Sequence, residues 1–553
     1  MGENYTSWKS AGGNNADHIG GNGYEFSYVD EKTGDRKTVQ VDYGSLFSNK
    51  DETGYDCFIP TMPNCDDILI THGHADHIGG IPHLMNLKRE EFAAKRAKGE
   101  NLTIHCTPFA EQMIKKSLQN IPKEEWPVFD TVEPGKPFEV NGFKVEPFAI
   151  SHSIPDAVGF VLESPDGTRM MTTGDFKTAK VPVGKGWEDE KIAEIASKGI
   201  DYLFIDSTSA VQQGVTIGEA DVKDGLKEIL KQSQDGPVIS GVISSSCHRL
   251  HTIATALAEE ALEKAGDYDT PKPRTMILDG ASLIAARRAM NNCGYKLEDM
   301  IREETGVDIK IMAANAKSVQ KIPPEERFYI CTGTQGEEAS LLKIAEGRNR
   351  NVSLNEMREA SGKGRDLPIY VYDLQSCIPG SEEKHQALEE KFQAAGCTTY
   401  FPSRYKPNKY TVHASGHASA GDVAKICQIV SKNSERPTTV VPIHGDPKQR
   451  RNVMKIAQDN GLNACIVPNM SEMKAFKKYT CWEDGGKTEE WIGVNDVNND
   501  FRRPYFKYDK LQLNVDTKER TKTGYYRYKP APRKSKADKE TVLAKAAMEK
   551  RAR

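Results

Sequence analysis

The segment Thr71-His72-Gly73-His74-Ala75-Asp76-His77 places three histidines and one aspartate within six positions. It follows the apolar run Ile68-Leu69-Ile70, preceded by Asp66 and Asp67, a pattern that predicts a short buried strand. A strand that ends in a tight loop can aim alternate side chains at one point. Imidazole and carboxylate are donors that borderline metals such as zinc prefer. A polar loop whose histidines cap a helix beginning near Ile78 would leave four ligand-type side chains at this spacing unaccounted for. The segment therefore predicts a dinuclear metal site.

More donors stand where strand-like runs give way to Gly or Pro. His152 lies in Ser151-His152-Ser153-Ile154-Pro155-Asp156, after the strand-like run from Lys144 to Ile150. Asp175 lies in Thr172-Thr173-Gly174-Asp175-Phe176, and His444 in Val440-Val441-Pro442-Ile443-His444-Gly445-Asp446. The His-x-His-x-Asp-His spacing resembles the signature of the metallo-β-lactamase fold. Leu203-Phe204-Ile205-Asp206-Ser207-Thr208, Thr411-Val412-His413-Ala414-Ser415-Gly416-His417 and Pro442-Ile443-His444-Gly445 resemble the three further motifs of the β-CASP nucleases. His152 to Asp156, Gly333-Thr334-Gln335-Gly336-Glu337 and Ile378-Pro379-Gly380 are similar to ribonuclease J. The resemblance runs in matching order from about Val41 to about Ala475.

That resemblance implies an α/β fold: a metallo-β-lactamase αββα sandwich interrupted by a β-CASP α/β domain. It implies two divalent metal ions, zinc foremost and manganese or magnesium as alternatives. His72, His74 and His152 would hold one ion, Asp76, His77 and His444 the other, and Asp175 both. His417 is the implied general acid, oriented by Asp206. His413, Ala414, Ser415 and Gly416 would share the phosphate-binding turn with His417. A pocket for a 5′-monophosphate draws on Ser244, Ser246, His248, Arg249, Gly333, Thr334, Gln335 and Gly336. For His248 and Arg249 a structural place at a helix start is the equal alternative, and for Gly333 and Gly336 an ordinary turn.

The implied activity is hydrolysis of RNA to leave 5′-phosphate ends, by 5′-to-3′ exonuclease action, endonuclease action, or both. The implied partners are single-stranded, 5′-monophosphorylated RNA and a second copy in a homodimer. A DNA nuclease of the same group is disfavoured by His444, because the DNA-processing branch typically carries valine there. A thioesterase or lactonase of the same fold would leave Asp206, His417 and the long insertion between ligands unexplained. Ser244-Ser245-Ser246-Cys247-His248-Arg249 departs from the family, which usually has Asn-Ile before His-Arg. The family's small C-terminal domain cannot be followed after about Lys478.

Since metal-ligand candidates fall before about Ser209 and again at His444, the first domain must be interrupted. The expected organisation is 1–209 and 411–480 as the two parts of the metallo-β-lactamase domain, 210–410 as the β-CASP domain, and 481–553 as a divergent C-terminal region. Within the insertion, helices are expected at Glu219 to Gln232 and Leu250 to Lys264. Strands are expected at Pro237 to Ile243, Thr275 to Leu278, Phe328 to Cys331 and Pro368 to Tyr372, an alternation that argues a layered α/β unit. No apolar run approaches the roughly 18 residues of a membrane span. Eleven cysteines without a Cys-x-x-Cys pair read as reduced residues of a cytoplasmic protein. From Phe501 to Arg553 the net charge is +11 against −4 for all 553 residues, so residues 1–500 carry −15. The tail alternates these cations with tyrosines, which suits either contact with single-stranded nucleic acid or a plain solvated terminus.

Overall fold

The computed structural model describes residues 4–14, 20–47, 57–60, 63, 65–266, 269–377, 380–402 and 409–466, with a few short strand segments beyond. Most of the basic C-terminal region lies outside the described residues.

Two seven-stranded sheets pack face to face. The first contains β1 (Tyr5–Gly12), β2 (Gly23–Val29), β3 (Arg36–Val41), β4 (Asp67–Leu69), β5 (Thr103–Cys106) and β6 (Val128–Thr131), with β20 (Glu472–Ala475) outside β1. The second runs β19-β18-β11-β10-β9-β8-β7. In chain order these are β7 (Phe138–Val140), β8 (Phe143–Ala149), β9 (Val158–Glu163), β10 (Arg169–Thr172), β11 (Tyr202–Asp206), β18 (Thr439–Ile443) and β19 (Asn463–Ala464). Trp8, Phe26, Val41 and Leu69 from the first sheet meet Phe143, Phe160, Phe204 and Val441 from the second in one buried layer. Alternate strand residues point the other way, to helices on each outer face: Ile68 and Ile104 towards Ile81, Leu84 and Ile114, and Leu203 and Val440 towards Ile192, Ile426 and Val453. The result is the expected αββα sandwich, its apolar interior removed from water by burial on both faces of each sheet.

A third, all-parallel sheet occupies the insertion, in the order β14-β13-β15-β12-β16-β17. Its strands are β12 (Val238–Gly241), β13 (Thr275–Asp279), β14 (Ile311–Ala313), β15 (Arg327–Cys331), β16 (Tyr370–Asp373) and β17 (Thr398–Tyr400). The four inner strands, largely buried on both faces, read as near-continuous apolar runs rather than alternating ones. The helix expected from Leu250 begins at Cys247 and ends at Ala265. That earlier start puts His248 and Arg249 inside its first turn, with Ser246 at the N-cap.

After the insertion the chain returns to the second sheet, where β18 lies parallel to β11 and pairs Ile443 with Asp206. This register sets His444 and the Asp206-Ser207-Thr208 segment side by side at the strand ends. No helix among the described residues is long and apolar enough to cross a membrane.

Candidate metal centre

The loop after β4 is braced by a residue that sequence reasoning missed. Asp42, at the end of β3 in the left-handed region (φ 58°), accepts hydrogen bonds from Thr71 N at 2.9 Å and Thr71 Oγ1 at 2.8 Å. His77 Nδ1 lies 2.7 Å from the same carboxylate. A carboxylate behind a histidine fixes the ring and directs its other nitrogen, here Nε2, into the site. The only sequence signal was an aspartate closing a strand-like run.

Three imidazoles converge next to it. His72 Nε2 is 3.0 Å and His152 Nε2 is 2.9 Å from His74 Nδ1. His152 Nδ1 lies 2.8 Å from the Gly416 carbonyl oxygen, which can only accept. A neutral His152 ring therefore carries its proton on Nδ1 and turns the Nε2 lone pair inwards. Burial, with repulsion from neighbouring imidazoles, disfavours charge on all three rings, pulling His74 down to about 4 and His72 and His152 well below their ordinary range.

Asp76, His77, Asp175 and His444 make a second cluster. His77 Nε2 lies 3.0 Å and His444 Nδ1 2.7 Å from the two Asp175 oxygens. His72 Nε2 stands 3.8 Å from Asp175, so this carboxylate reaches both groups. His444 sits in the left-handed region (φ 50°), a conformation that costs a non-glycine residue about 1–3 kcal/mol and persists where the surroundings enforce it. Its Nε2 is buried without a well-formed hydrogen bond, the nearest carboxylate oxygen being Asp76 Oδ2 at 3.4 Å. Burial disfavours charge on this ring, yet Asp175 and Asp76 outweigh it and raise His444 to about 10. Burial likewise opposes ionisation of Asp175, but the rings of His444, His77 and His417 hold it well below the carboxylate range. Converging lone pairs, carboxylates pressed together and an orphaned buried ring nitrogen form a donor set that fits divalent cations.

His417 stands at the mouth of this nest. Its side chain is 23% exposed, and its Nδ1 lies 2.9 Å from Asp206 Oδ2, which is buried. Burial works against charge on His417; Asp206 and then Asp175 more than offset it, so the ring is raised above its ordinary value. The turn carrying His417 is held from below by a second residue that sequence reasoning missed. Lys177, buried, donates from Nζ to the Ser415 carbonyl at 2.9 Å, and burial pulls its ammonium down to about 8.

The other expected substrate contacts divide. Ser244 and Ser246 follow β12, and Gly333 to Gly336 follow β15, so both groups lie on neighbouring C-terminal ends of the third sheet. Gly333 and Gly336 both have positive φ, at 103° and 75°. His413 is half-buried, and burial pulls its ring down to about 3; His248 is fully buried and pulled down to about 3 in the same way. Arg249 needs correction as a substrate contact. It is fully buried, and its guanidinium is committed to Glu219, the Leu374 carbonyl at 2.8 Å and the Val412 carbonyl at 2.5 Å. Starting the helix at Cys247 turned Arg249 inwards, where it ties the end of β16 to the turn carrying His413.

Comparison with known proteins agrees with this architecture. Residues 58–239 match the family described as Beta-lactamase superfamily domain. Ribonuclease J of Mycobacterium tuberculosis is 27% identical over 431 residues, covering 76% of this chain and 67% of that protein. Ribonuclease J 1 of Streptococcus pyogenes is 28% identical over 462 residues, covering 82% and 71%. Ribonuclease J of Thermus thermophilus is 26% identical over 428 residues, covering 76% and 66%. Over most of its length the chain is thus similar to ribonuclease J proteins, and over residues 58–239 to the β-lactamase superfamily domain.

Proposed function

We propose that the chain is a divalent-metal-dependent ribonuclease that hydrolyses single-stranded RNA and leaves 5′-phosphate ends. The observation that carries this reading is the His417–Asp206 pair, a partly exposed imidazole held by a buried carboxylate at the lip of two donor clusters. A thioester hydrolase, whose thiolate leaves without a proton, needs no donor placed in this way.

In this reading His72, His74 and His152 hold one cation, Asp76, His77 and His444 a second, and Asp175 contributes to both. Zinc is the first candidate and manganese or magnesium the alternatives. When bound, the cations supply Lewis acidity towards a phosphodiester and a nucleophile at neutral pH. The protein's own part is positional and acid–base. Asp206 accepts from His417 Nδ1–H, which leaves Nε2–H to protonate the departing 3′-oxygen. The backbone and hydroxyl of the 413–417 turn bind the scissile phosphate, and Lys177 keeps that turn at the height of His152. Ser244, Ser246 and Gly333 to Gly336 receive the 5′-phosphate. The described cysteines are free and mostly buried, which suits a reducing compartment, and we place the enzyme in the cytoplasm.

The test is turnover of 5′-labelled RNA, single-stranded DNA and a thioester by one metal-loaded preparation. RNA should be cleaved far faster than the other two, and equal or preferred cleavage of DNA or thioester would sink the reading. A product ladder from 5′-monophosphorylated and 5′-triphosphorylated RNA separates exonuclease from endonuclease action.

A further inference from the structure

The third sheet has a feature that the candidate metal centre does not use. From β13 the chain crosses to the edge strand β14 through helices Ala281–Asn292 and Leu297–Thr305. From the neighbouring strand β15 it leaves in the opposite direction, to β16, through helices Ser340–Ala345 and Leu354–Ala360. The two groups cover opposite faces of the sheet: Leu283, Ala286 and Met290 pack with Met276, Leu278 and Ile330, whereas Leu341, Ile344 and Met357 pack with Ile277 and Tyr329. Where neighbouring strands of a parallel sheet send their connections to opposite faces, a crevice opens beyond their carboxyl ends.

In this molecule the crevice is a cavity of about 630 Å³, a size that accommodates a small organic ligand. One part of its wall is apolar, from Leu278, Ile284 and Ala314. The rest includes three cations, Lys343, Arg348 and Arg350, and a single acid, Asp279. That acid forms no ion pair with them among the described residues. Its carboxylate is buried and accepts from Ser340 Oγ, from Asn349 Nδ2 at 2.7 Å and from Asn351 Nδ2 at 3.2 Å, so it fixes the wall itself. Arg348 is held from outside by Glu338 at 2.8 Å and by Glu346. Among the described residues Lys343 and Arg350 form no ion pair. The cavity thus offers an apolar floor, two uncommitted cations, and amide and hydroxyl groups from Asn315 and Thr332.

We propose that this crevice is a second ligand site, one that takes a nucleoside phosphate. The base lies on Leu278, Ile284 and Ala314, and the phosphate is met by Lys343 and Arg350. None of these residues belongs to the metal-donor clusters, so the site stands whether or not the nuclease reading does. A free mononucleotide and a nucleotide within an RNA strand carry the same chemistry, and the experiment separates them.

The full-length chain is photocrosslinked with 8-azidoadenosine monophosphate, with and without inorganic phosphate as competitor, and separately with single-stranded RNA carrying 5-iodouridine. Adducts are mapped by peptide mass spectrometry. Adducts within residues 278–284 or 339–351 from the mononucleotide, suppressed by phosphate, assign the site to free nucleotide. Adducts there from RNA alone assign it to the RNA strand. In either case Lys343→Glu combined with Arg350→Glu should reduce the adduct at least about tenfold, the loss of one or two charge-assisted contacts. Asn315→Asp, which adds a negative charge without touching those cations, should weaken it in the same direction, with the melting curve of each variant as the folding control. No adduct in this segment from either probe, or undiminished labelling of the charge-altered chains, overturns the proposal.

Discussion

Gly416 lies so close to the His152 ring that a β-carbon on it would stand 2.5 Å from Cε1 and 2.8 Å from Nδ1. The same glycine presents its carbonyl to His152 Nδ1, so it both makes room for the ring and sets its tautomer. Gly416→Ala should displace His152 from His72 and His74. The expected outcome is a loss of about 10- to 100-fold in divalent-cation affinity, with a parallel fall in RNA cleavage. Equilibrium dialysis with zinc on the folded variant checks it, and unchanged affinity would mean that His152 is not a ligand.

Asp42 provides a stricter test of positioning. Its carboxylate faces three donors at once: the Thr71 amide, the Thr71 hydroxyl and His77 Nδ1. Asparagine can accept at one end only, so Asp42→Asn turns a donor against a donor. Activity and metal affinity should both fall by about 10- to 100-fold, although Asp42 touches no substrate. A fall in kcat with full metal occupancy would assign the residue some other part.

His417→Ala separates proton donation from metal holding. The chain should keep its cations and lose about 10²- to 10⁴-fold in rate. The deficit should shrink on substrates whose leaving group needs no proton. Metal analysis of the purified variant decides the matter, since release of an ion would make His417 a ligand instead.

Chelation should abolish cleavage, and zinc or manganese should restore it. Because the donors are gathered only in the folded chain, added cation should also raise the melting temperature, in proportion to the logarithm of its concentration above Kd. Ligand loss at His77→Ala should remove both effects together.

Glu219 and Arg249 form a buried two-pronged pair, at 3.1 and 3.2 Å, with Thr252 Oγ1 donating to the same carboxylate at 2.6 Å. Glu219→Ala leaves a guanidinium buried without its counter-charge and should cost roughly 3–5 kcal/mol. Burial pushes the Glu219 carboxyl up, but Arg249 and Thr252 outweigh it and bring it down to about 2 from an ordinary 4.5. A lowered folded-state value means that the stabilisation is fully present above pH 4.5 and is lost as pH falls towards 2. Wild-type protein should therefore lose more stability between pH 4.5 and 2 than Glu219→Gln does, as measured by denaturant melts across that range.

What could be read in the chain beforehand follows the range of the interactions involved. His72, His74, Asp76 and His77 stand within one short segment, so their spacing alone pointed to a metal site, although they divide between two clusters. The inner strands of the insertion are apolar on both faces and stand out as runs, which made the α/β class legible. Asp42 and Lys177 could not be read in this way. Each is an ordinary residue of its type until tertiary packing brings Thr71 or the Ser415 carbonyl against it. Arg249 is the opposite case: a motif-like neighbour made it look like a ligand contact, and a helix start three residues early turned it into an internal tie. The crevice between β13 and β15 depends on the order of strands in space, which the sequence does not spell out.

The adjacency of β11 and β18 also bears on how the molecule comes into being. Thr208 and His444 are 236 residues apart in sequence yet bonded in the structure. Bringing such distant segments together is entropically expensive for an open chain and slows folding when many contacts are of this kind. The parallel sheet between them, once formed, brings its two ends near each other and shortens the search. During synthesis β11 must wait with an exposed pairing edge until residues past 443 have left the ribosome, a state prone to mispairing. The donor clusters close last, so a growing chain cannot assemble its metal centre until His444 has been made.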